Sequence, residues 1–177
     1  CAALSLNGKV IATGCGHQAR AWDAATGKPF AAPMATDGGA WGLALSPDGK
    51  TGLIGSSNYF LVDFWDTTSG KKLGRVRPAG CIGGLAVSHD GKRFAAASWG
   101  DSVVRFGDVE ARKFEGRILE QPFGHNNVVF SSDGRLLATG GEDKVVRVFD
   151  VNRLPEISTA RRALLVGQSF HLPVLRG

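Results

Sequence analysis

The sequence lacks several features that would assign the protein to a broad class. No apolar run approaches the ~18 residues that a membrane-spanning helix needs. Only three cysteines occur among 177 residues, namely Cys1, Cys15 and Cys81. They are too few and too far apart to predict a disulfide framework or a cysteine-rich metal site. We expect them to be small buried side chains in a reducing compartment, which favours a cytoplasmic protein.

Patterns of catalytic and ligand-binding residues are also missing. None of the four histidines has another histidine, cysteine or carboxylate at metal-ligand spacing, and neither H-E-x-x-H nor G-x-S-x-G occurs. The segment GCGHQA (14–19) fits a dinucleotide fingerprint, but the ARAWD that follows predicts a strand where that chemistry needs a helix. We therefore predict no catalytic residues, no metal and no cofactor, and hence no enzyme.

The excess of positive charge does not form a nucleic-acid-binding stripe. The net charge is +5, but the lysines and arginines stand singly or in pairs such as Lys71–Lys72 and Arg112–Lys113. Such pairs are typical of solvated strand edges. We do not expect nucleic acid or a membrane to be a partner.

Glycine, by contrast, is abundant and marks a repeat. The 25 glycines are about twice the ordinary share of ~7%. Four related segments end in a glycine turn, and their turn glycines follow one another at intervals of 41, 42 and 43 residues: ALSLNGK (3–9), LALSPDGK (43–50), LAVSHDGK (85–92) and VVFSSDGR (128–135). A period of this length indicates a repeat architecture.

Each turn is followed by two short apolar runs, and the second run ends in aspartate. These second runs are RAWD (20–23), DFWD (63–66), RFGD (105–108) and RVFD (147–150). Short runs bounded by Asp-Gly or Thr-Gly turns predict antiparallel strands, and helical periodicity is absent through residue 151. The sequence is thus predicted to be all-β. Aspartates that recur at one place in every repeat are expected to be structural.

The period near 42, the S-x-D-G turns and the terminal Trp22–Asp23 and Trp65–Asp66 resemble WD40 repeats of the bacterial type. The resemblance implies a partial β-propeller of four WD40-type blades, each an antiparallel four-stranded sheet. The repeats would cover residues of about 1–35, 36–78, 79–121 and 122–151, followed by a tail at 152–177.

For the tail we expect an outer strand and the start of a further repeat, with a short helix as the alternative. We also expect the chain to be part of a longer array of about seven blades. A closed ring of four is the alternative.

The resemblance also implies a hydrogen-bond network in the fourth repeat. Gly124–His125 matches the Gly-His pair that precedes the first strand of a WD40 repeat. In that network Asp143 would hold His125, which would reach Thr139. Phe149 occupies the place of the tryptophan and cannot donate.

The candidate partner-binding residues are those that break the repeat on loops: Trp41, Tyr59, Trp99, Asn126 and Glu142. The slot of Trp41 holds Gly83 and Asn126 in other repeats, so the fold does not require an aromatic ring there. Glu142 stands where the third repeat has Gly100, and we expect it to point to solvent. Exposed aromatic residues are enriched in binding hot spots. The alternative is that these rings, and Phe60, pack between blades.

Together these patterns predict a non-catalytic scaffold for protein or peptide interaction. Its partners would include a protein or peptide, and also further blades of the same array or a second copy. The alternative function is a regulatory or substrate-recruiting region of a larger enzyme, such as a bacterial Ser/Thr protein kinase. A propeller enzyme or small-molecule binder is a third hypothesis, which would need polar residues converging on a central channel.

Overall fold

The computed structural model describes residues 1–56, 61–78, 80–120 and 125–154, with the backbone alone at Arg117, His125 and Asn126. Within these ranges the secondary structure is β, apart from one turn of 3-10 helix at Val151–Arg153. No helix in these ranges is long and apolar enough to cross a membrane. The predicted outer strand and further repeat in the tail fall on residues 155–177, outside the described part of the chain.

The strands form four antiparallel sheets, and each sheet is built from strands that are consecutive in sequence. We number the sheets blades 1 to 4. Blade 1 contains β1 (Ala2–Leu4), β2 (Val10–Cys15), β3 (Gln18–Asp23) and β4 (Met34–Ala35). Blade 2 contains β5 (Ala40–Leu45), β6 (Thr51–Ser56), β7 (Leu61–Asp66) and β8 (Lys72–Val76). Blade 3 contains β9 (Ile82–Val87), β10 (Arg93–Ser98), β11 (Val103–Asp108) and β12 (Lys113–Glu120). Blade 4 has three strands among the described residues, β13 (His125–Phe130), β14 (Leu136–Gly141) and β15 (Val146–Asp150).

The turn between the first two strands is held by the same hydrogen bonds in every blade. In blade 2, Ser46 Oγ donates to Asp48 Oδ1 at 2.6 Å, and Lys50 N donates to the same oxygen at 3.0 Å. The next glycine has a φ of 77°, a conformation that glycine adopts without strain. Blade 1 makes these bonds with Asn7, and blades 3 and 4 make them with aspartate. The aspartate or asparagine at this turn is therefore structural.

Three apolar clusters each join two neighbouring blades. Val10 and Leu45 share the cluster between blades 1 and 2. Phe64 meets Phe94 edge-on between blades 2 and 3, with ring centroids 5.4 Å apart. The third cluster joins blades 3 and 4. The four sheets are thus packed in chain order as blades of a propeller, and the predicted all-β propeller class is confirmed.

The blades approach each other closely where a glycine faces the neighbouring sheet. A Cβ built on Gly55 of blade 2 would lie 2.5 Å from Cγ2 of Ile82 in blade 3. Real Cβ atoms do not come so close to another carbon, so any larger residue at position 55 would push the two blades apart. The spacing of blades 2 and 3 thus depends on this glycine.

The expectation that the three cysteines are buried was wrong. Cys1 and Cys15 are exposed and Cys81 is half-buried, all as free thiols. Burial alternates along β2, so that Val10 and Ala12 face the core while Ile11 and Cys15 do not. Cys15 is exposed because it falls on the outward-facing positions of its strand.

Candidate functional site on the upper face

The strands place two different sets of loops at opposite ends of the blades. The Ser-x-Asp-Gly turns lie at one end, which we call the lower face. At the other end, the upper face, lie the hairpin loops 16–17, 99–102 and 142–145 and the chain segments that enter the first strand of each blade. The pairing of Ser98 with Ile82 fixes this arrangement, because it sets the start of β9 beside the 99–102 loop.

Each first strand of blades 2 to 4 contains a β-bulge at its upper end. The register skips Trp41 in β5, Gly83 in β9 and Asn126 in β13. These are the three residues that the sequence repeat assigns to one slot. A residue at a bulge is left out of the ladder, and its side chain is re-aimed. Trp41 is accordingly 66% exposed at a position where its backbone is held on both sides by β-pairing.

Trp99 and Glu142 are brought together across the boundary between blades 3 and 4. Trp99 Nε1 donates to Glu142 Oε1 at 2.7 Å, although 43 residues separate them. The ring remains 53% exposed. Trp99 N also donates to Cys81 O at 2.9 Å, which anchors the loop backbone. Glu142 is exposed but not free in solvent, because its carboxylate orients the indole.

Asp143, next to Glu142, points back into its own hairpin. Its carboxylate forms an ion pair with Arg147 Nη1 at 2.6 Å and accepts from Val145 N at 3.2 Å. Asp101 and Arg105 form the corresponding pair in blade 3. Asp143 is thus a brace within the 142–145 hairpin. Its predicted contact with His125 stays a prediction, because the His125 side chain is outside the described part of the chain.

Thr139 and Thr13 occupy the same ladder position in blades 4 and 1, opposite Arg147 and Arg20. In blade 1, Trp22 Nε1 donates to Thr13 Oγ1 at 2.9 Å. In blade 4, Phe149 stands in the place of Trp22, and Thr139 Oγ1 is buried without a hydrogen-bond partner among the described atoms. The threonine–tryptophan link therefore exists in blade 1, and the remaining predicted candidates, Tyr59 and the Asn126 side chain, lie outside the described residues.

A pocket of about 430 Å³ opens on the upper face between blades 1 and 2. Arg75 forms one wall, with Nε 2.6 Å and Nη2 2.8 Å from the two carboxylate oxygens of the buried Asp63. Arg75 Nη2 also lies 2.5 Å from Asp37 Oδ2. The lining residues are His17, Thr36, Asp37, Gly38, Leu61, Arg75 and Arg77.

Electrostatics within this pocket favour the charged forms of both partners. The hydrogen bond to Asp63, reinforced by Asp37, raises the pKa of Arg75 above its ordinary value. The hydrogen bond from Arg75 and its positive charge lower the pKa of Asp37. The pocket wall is thus a permanently charged, hydrogen-bonded cluster.

The Asp63–Arg75 pair was not predicted from the sequence. A signal was available, because Arg20, Arg105 and Arg147 share one ladder position in three blades and blade 2 has Asp63 there. The described residues contain no group of three or more histidines, cysteines or carboxylates arranged to hold a metal ion.

Comparison with known proteins agrees with this architecture. Residues 117–150 match the family described as WD domain, G-beta repeat. The chain is thus a β-propeller of four blades, and its fourth blade matches a WD40 repeat. WD40 propellers in general serve as scaffolds for protein interaction. A search of curated protein sequences found no match.

Among solved structures, one chain of Kuenenia stuttgartiensis Hydrazine Synthase is similar, with a TM-score of 0.74 and 19% sequence identity. The likeness covers 88% of this chain and 48% of that one, so this chain spans about half the length of the other. At this identity the likeness concerns the fold alone.

Proposed function

We propose that the chain is a non-catalytic scaffold that binds a protein or peptide segment on its upper face. The observation that carries this proposal is the 66% exposure of Trp41 at a β-bulge, where the fold itself has no use for an indole. Gly83 occupies the same slot in blade 3, so a small residue is sufficient for the strand. A large apolar side chain that a rigid strand holds out to solvent is suited to contact a binding partner.

Trp99 supports the same proposal by a different route. Its exposed ring is held by the 2.7 Å hydrogen bond to Glu142, so the indole is fixed before a partner arrives. Fixing a side chain in its bound orientation lowers the entropy lost on binding. Two indoles on one face, each positioned by the blades beneath, would provide apolar anchor points for a peptide.

Three free thiols accompany these surfaces, and two of them are exposed. Exposed free thiols persist in reducing compartments. This observation supports the proposal that the scaffold acts in the cytoplasm.

A peptide-display selection tests the binding proposal directly. Peptides are selected on the wild-type chain and then measured by fluorescence polarisation against Trp41→Ala, Trp99→Ala and a control, Phe30→Ala. Phe30 is a 38% exposed aromatic residue in the β3–β4 connection, away from the upper-face loops. We expect at least tenfold weaker binding to one of the tryptophan variants, which corresponds to a loss of about 1.4 kcal/mol or more.

The control should bind like the wild type. Circular dichroism of each variant establishes that its blades remain folded. If no peptide is enriched, or if enriched peptides bind both tryptophan variants as well as the wild type, the upper face is not the binding surface.

A further inference from the structure

Blade 2 reverses a charge that the other three blades share. Asp63 occupies the ladder position of Arg20, Arg105 and Arg147, and it is only 3% exposed. A buried carboxylate needs compensating charge, because its desolvation is costly when it is unpaired. Blade 2 supplies two cations from its outer strand: Lys72 Nζ at 2.8 Å and Arg75 at 2.6 Å. The buried Asp63 is therefore neutralised by two basic side chains of its own blade, Lys72 and Arg75.

The result is a fixed guanidinium at the pocket between blades 1 and 2. Arg75 uses Nε and Nη2 for Asp63, and Nη2 also reaches Asp37. Within the described ranges Nη1 meets no acceptor. The connection that carries Asp37 is held in turn, because Thr36 N donates to His17 O and Ser56 Oγ donates to Asp37 O. The Arg75 side chain and the connection that carries Asp37 are thus both held in place by hydrogen bonds.

The charges around this pocket do not balance. Arg77, which also lines it, is exposed and forms no ion pair with any described residue. Leaving His17 out of the count, the pocket lining and the ion-paired cluster behind it contain three cations and two carboxylates: Lys72, Arg75 and Arg77 against Asp37 and Asp63. One positive charge is left over beside a cavity of about 430 Å³.

We propose that this pocket binds the carboxylate of an aspartate or glutamate side chain in the partner peptide. The proposal rests on the proposed function. Arg77 and the free Nη1 of Arg75 would donate to the carboxylate, and His17 would add a third donor. Guanidinium groups suit carboxylates because their donors are planar and paired. Trp41, three residues beyond the pocket-lining Gly38, would take an apolar residue of the same peptide.

A matched peptide series tests the assignment. An acetylated, fluorescein-labelled peptide Gly-Leu-Glu-Leu-Phe-Gly is compared by fluorescence polarisation with versions carrying glutamine or phosphoserine in place of glutamate. We expect the glutamate peptide to bind the wild type about tenfold more tightly than the glutamine peptide at low salt. Arg77→Gln and the double variant Arg77→Gln/His17→Gln should lose this preference. A second measurement follows the arginine Nε–Hε resonances by NMR during titration with N-acetylglutamate amide, and Arg77 should shift.

The control is Arg153→Gln, a side chain 74% exposed beyond the lower end of β15. This variant should keep the tenfold preference for glutamate. Equal binding of the glutamate and glutamine peptides, or absence of binding by both together with an unmoved Arg77 resonance, overturns the proposal. Binding of the phosphoserine peptide more tightly than the glutamate peptide also overturns it, in favour of a phosphate ligand.

Failure of this inference remains distinguishable from failure of the proposed function. If both peptides bind equally and both lose affinity in Trp41→Ala, the upper face still binds peptides and only the carboxylate pocket is wrong.

Discussion

The tryptophans of blades 1 and 2 test whether an indole N–H in a blade needs a hydrogen-bond acceptor on the adjacent strand. Trp22 Nε1 donates to Thr13 Oγ1 at 2.9 Å, whereas Trp65 Nε1 is buried with no hydrogen-bond partner among the described residues. The reason is the residue on the adjacent strand: Ile54 holds the ladder position of Thr13. In both blades a cation also lies over the ring, Arg20 at 5.3 Å from the centroid of Trp22 and Lys72 at 5.5 Å from that of Trp65.

The perturbation compares Ile54→Thr with Ile54→Val, because threonine and valine have nearly the same shape. Both variants lose the same packing from a residue that is 2% exposed. A buried hydroxyl without a partner usually costs about 1–3 kcal/mol relative to a methyl group. Here the new hydroxyl can accept from Trp65 Nε1, a bond worth about 1 kcal/mol that also satisfies an N–H costing roughly 1–3 kcal/mol when unpaired.

We therefore expect Ile54→Thr to be as stable as Ile54→Val or about 1 kcal/mol more stable, against the usual order. The mirror change, Thr13→Val in blade 1, should destabilise by about 1 kcal/mol. Urea unfolding followed by far-UV circular dichroism measures both, with equal m-values required for the comparison.

A second background makes the test decisive. In Trp65→Phe the donor is gone, so Ile54→Thr should there be less stable than Ile54→Val by about 1–3 kcal/mol. If Ile54→Thr is less stable than Ile54→Val by the same amount in both backgrounds, then the hydroxyl does not reach Trp65 and the explanation from ladder position is refuted.

Three further predictions concern pH, backbone conformation and association. Hydrogen bonds from Ser46 and Lys50 lower the pKa of Asp48, so its contribution to stability is present above the ordinary aspartate pKa and lost as pH falls through the lowered value. Asp48→Asn should therefore flatten the decline in urea midpoint between about pH 5 and pH 3, and an unchanged slope would contradict this. Lys144 has a φ of 61°, so Lys144→Val should lower the free energy of unfolding by about 1–2 kcal/mol while Lys144→Asn stays near neutral. Equal values for the two would count against backbone strain. Leu4 is 63% and Val129 58% exposed on the outward faces of blades 1 and 4. We expect self-association in sedimentation velocity, reduced by Leu4→Lys or Val129→Lys, whereas a monodisperse wild-type monomer would refute this.

The fold class could be predicted because its signals are local. A serine, an aspartate or asparagine and a glycine within five residues are enough to form each lower-face turn, and they recur in all four blades. The strands between the turns are short, and to form they need only side chains that are alternately buried and exposed. For this reason the all-β propeller followed from the turns and their period.

The candidate site could be predicted only in part, because its contacts cross between elements. The repeat set Trp41 apart from Gly83, but it could not show that both stand at a bulge. Trp99 and Glu142 break the repeat in two different blades, and their contact depends on how blade 3 packs on blade 4. The roles of these residues in binding stay predictions.

The pocket was not predicted for a similar reason. Asp63 was visible as a departure from three arginines, but its partner Arg75 comes from the next strand, 12 residues later, and Asp37 comes from the preceding connection. No short motif encodes that juxtaposition. The contacts become apparent only when the outer strand is paired in its register.

The lower-face turns have a consequence for how this chain could be changed. Each turn is closed within its blade, and the turns of blades 1 and 2 are joined, since Asn7 N donates to Pro47 O at 3.1 Å and Asn7 Nδ2 to Asp48 O at 3.0 Å. The upper hairpin loops, by contrast, differ in length. In blade 1 the last pair before the loop is Cys15 with Gln18, whereas in blade 4 it is Gly140 with Val146, which leaves a longer loop. Loop length at one end is therefore independent of strand register at the other. The chain is suited to loop grafting, in which foreign sequences replace residues 99–102 or 142–145 while the strands and the lower-face turns stay unchanged.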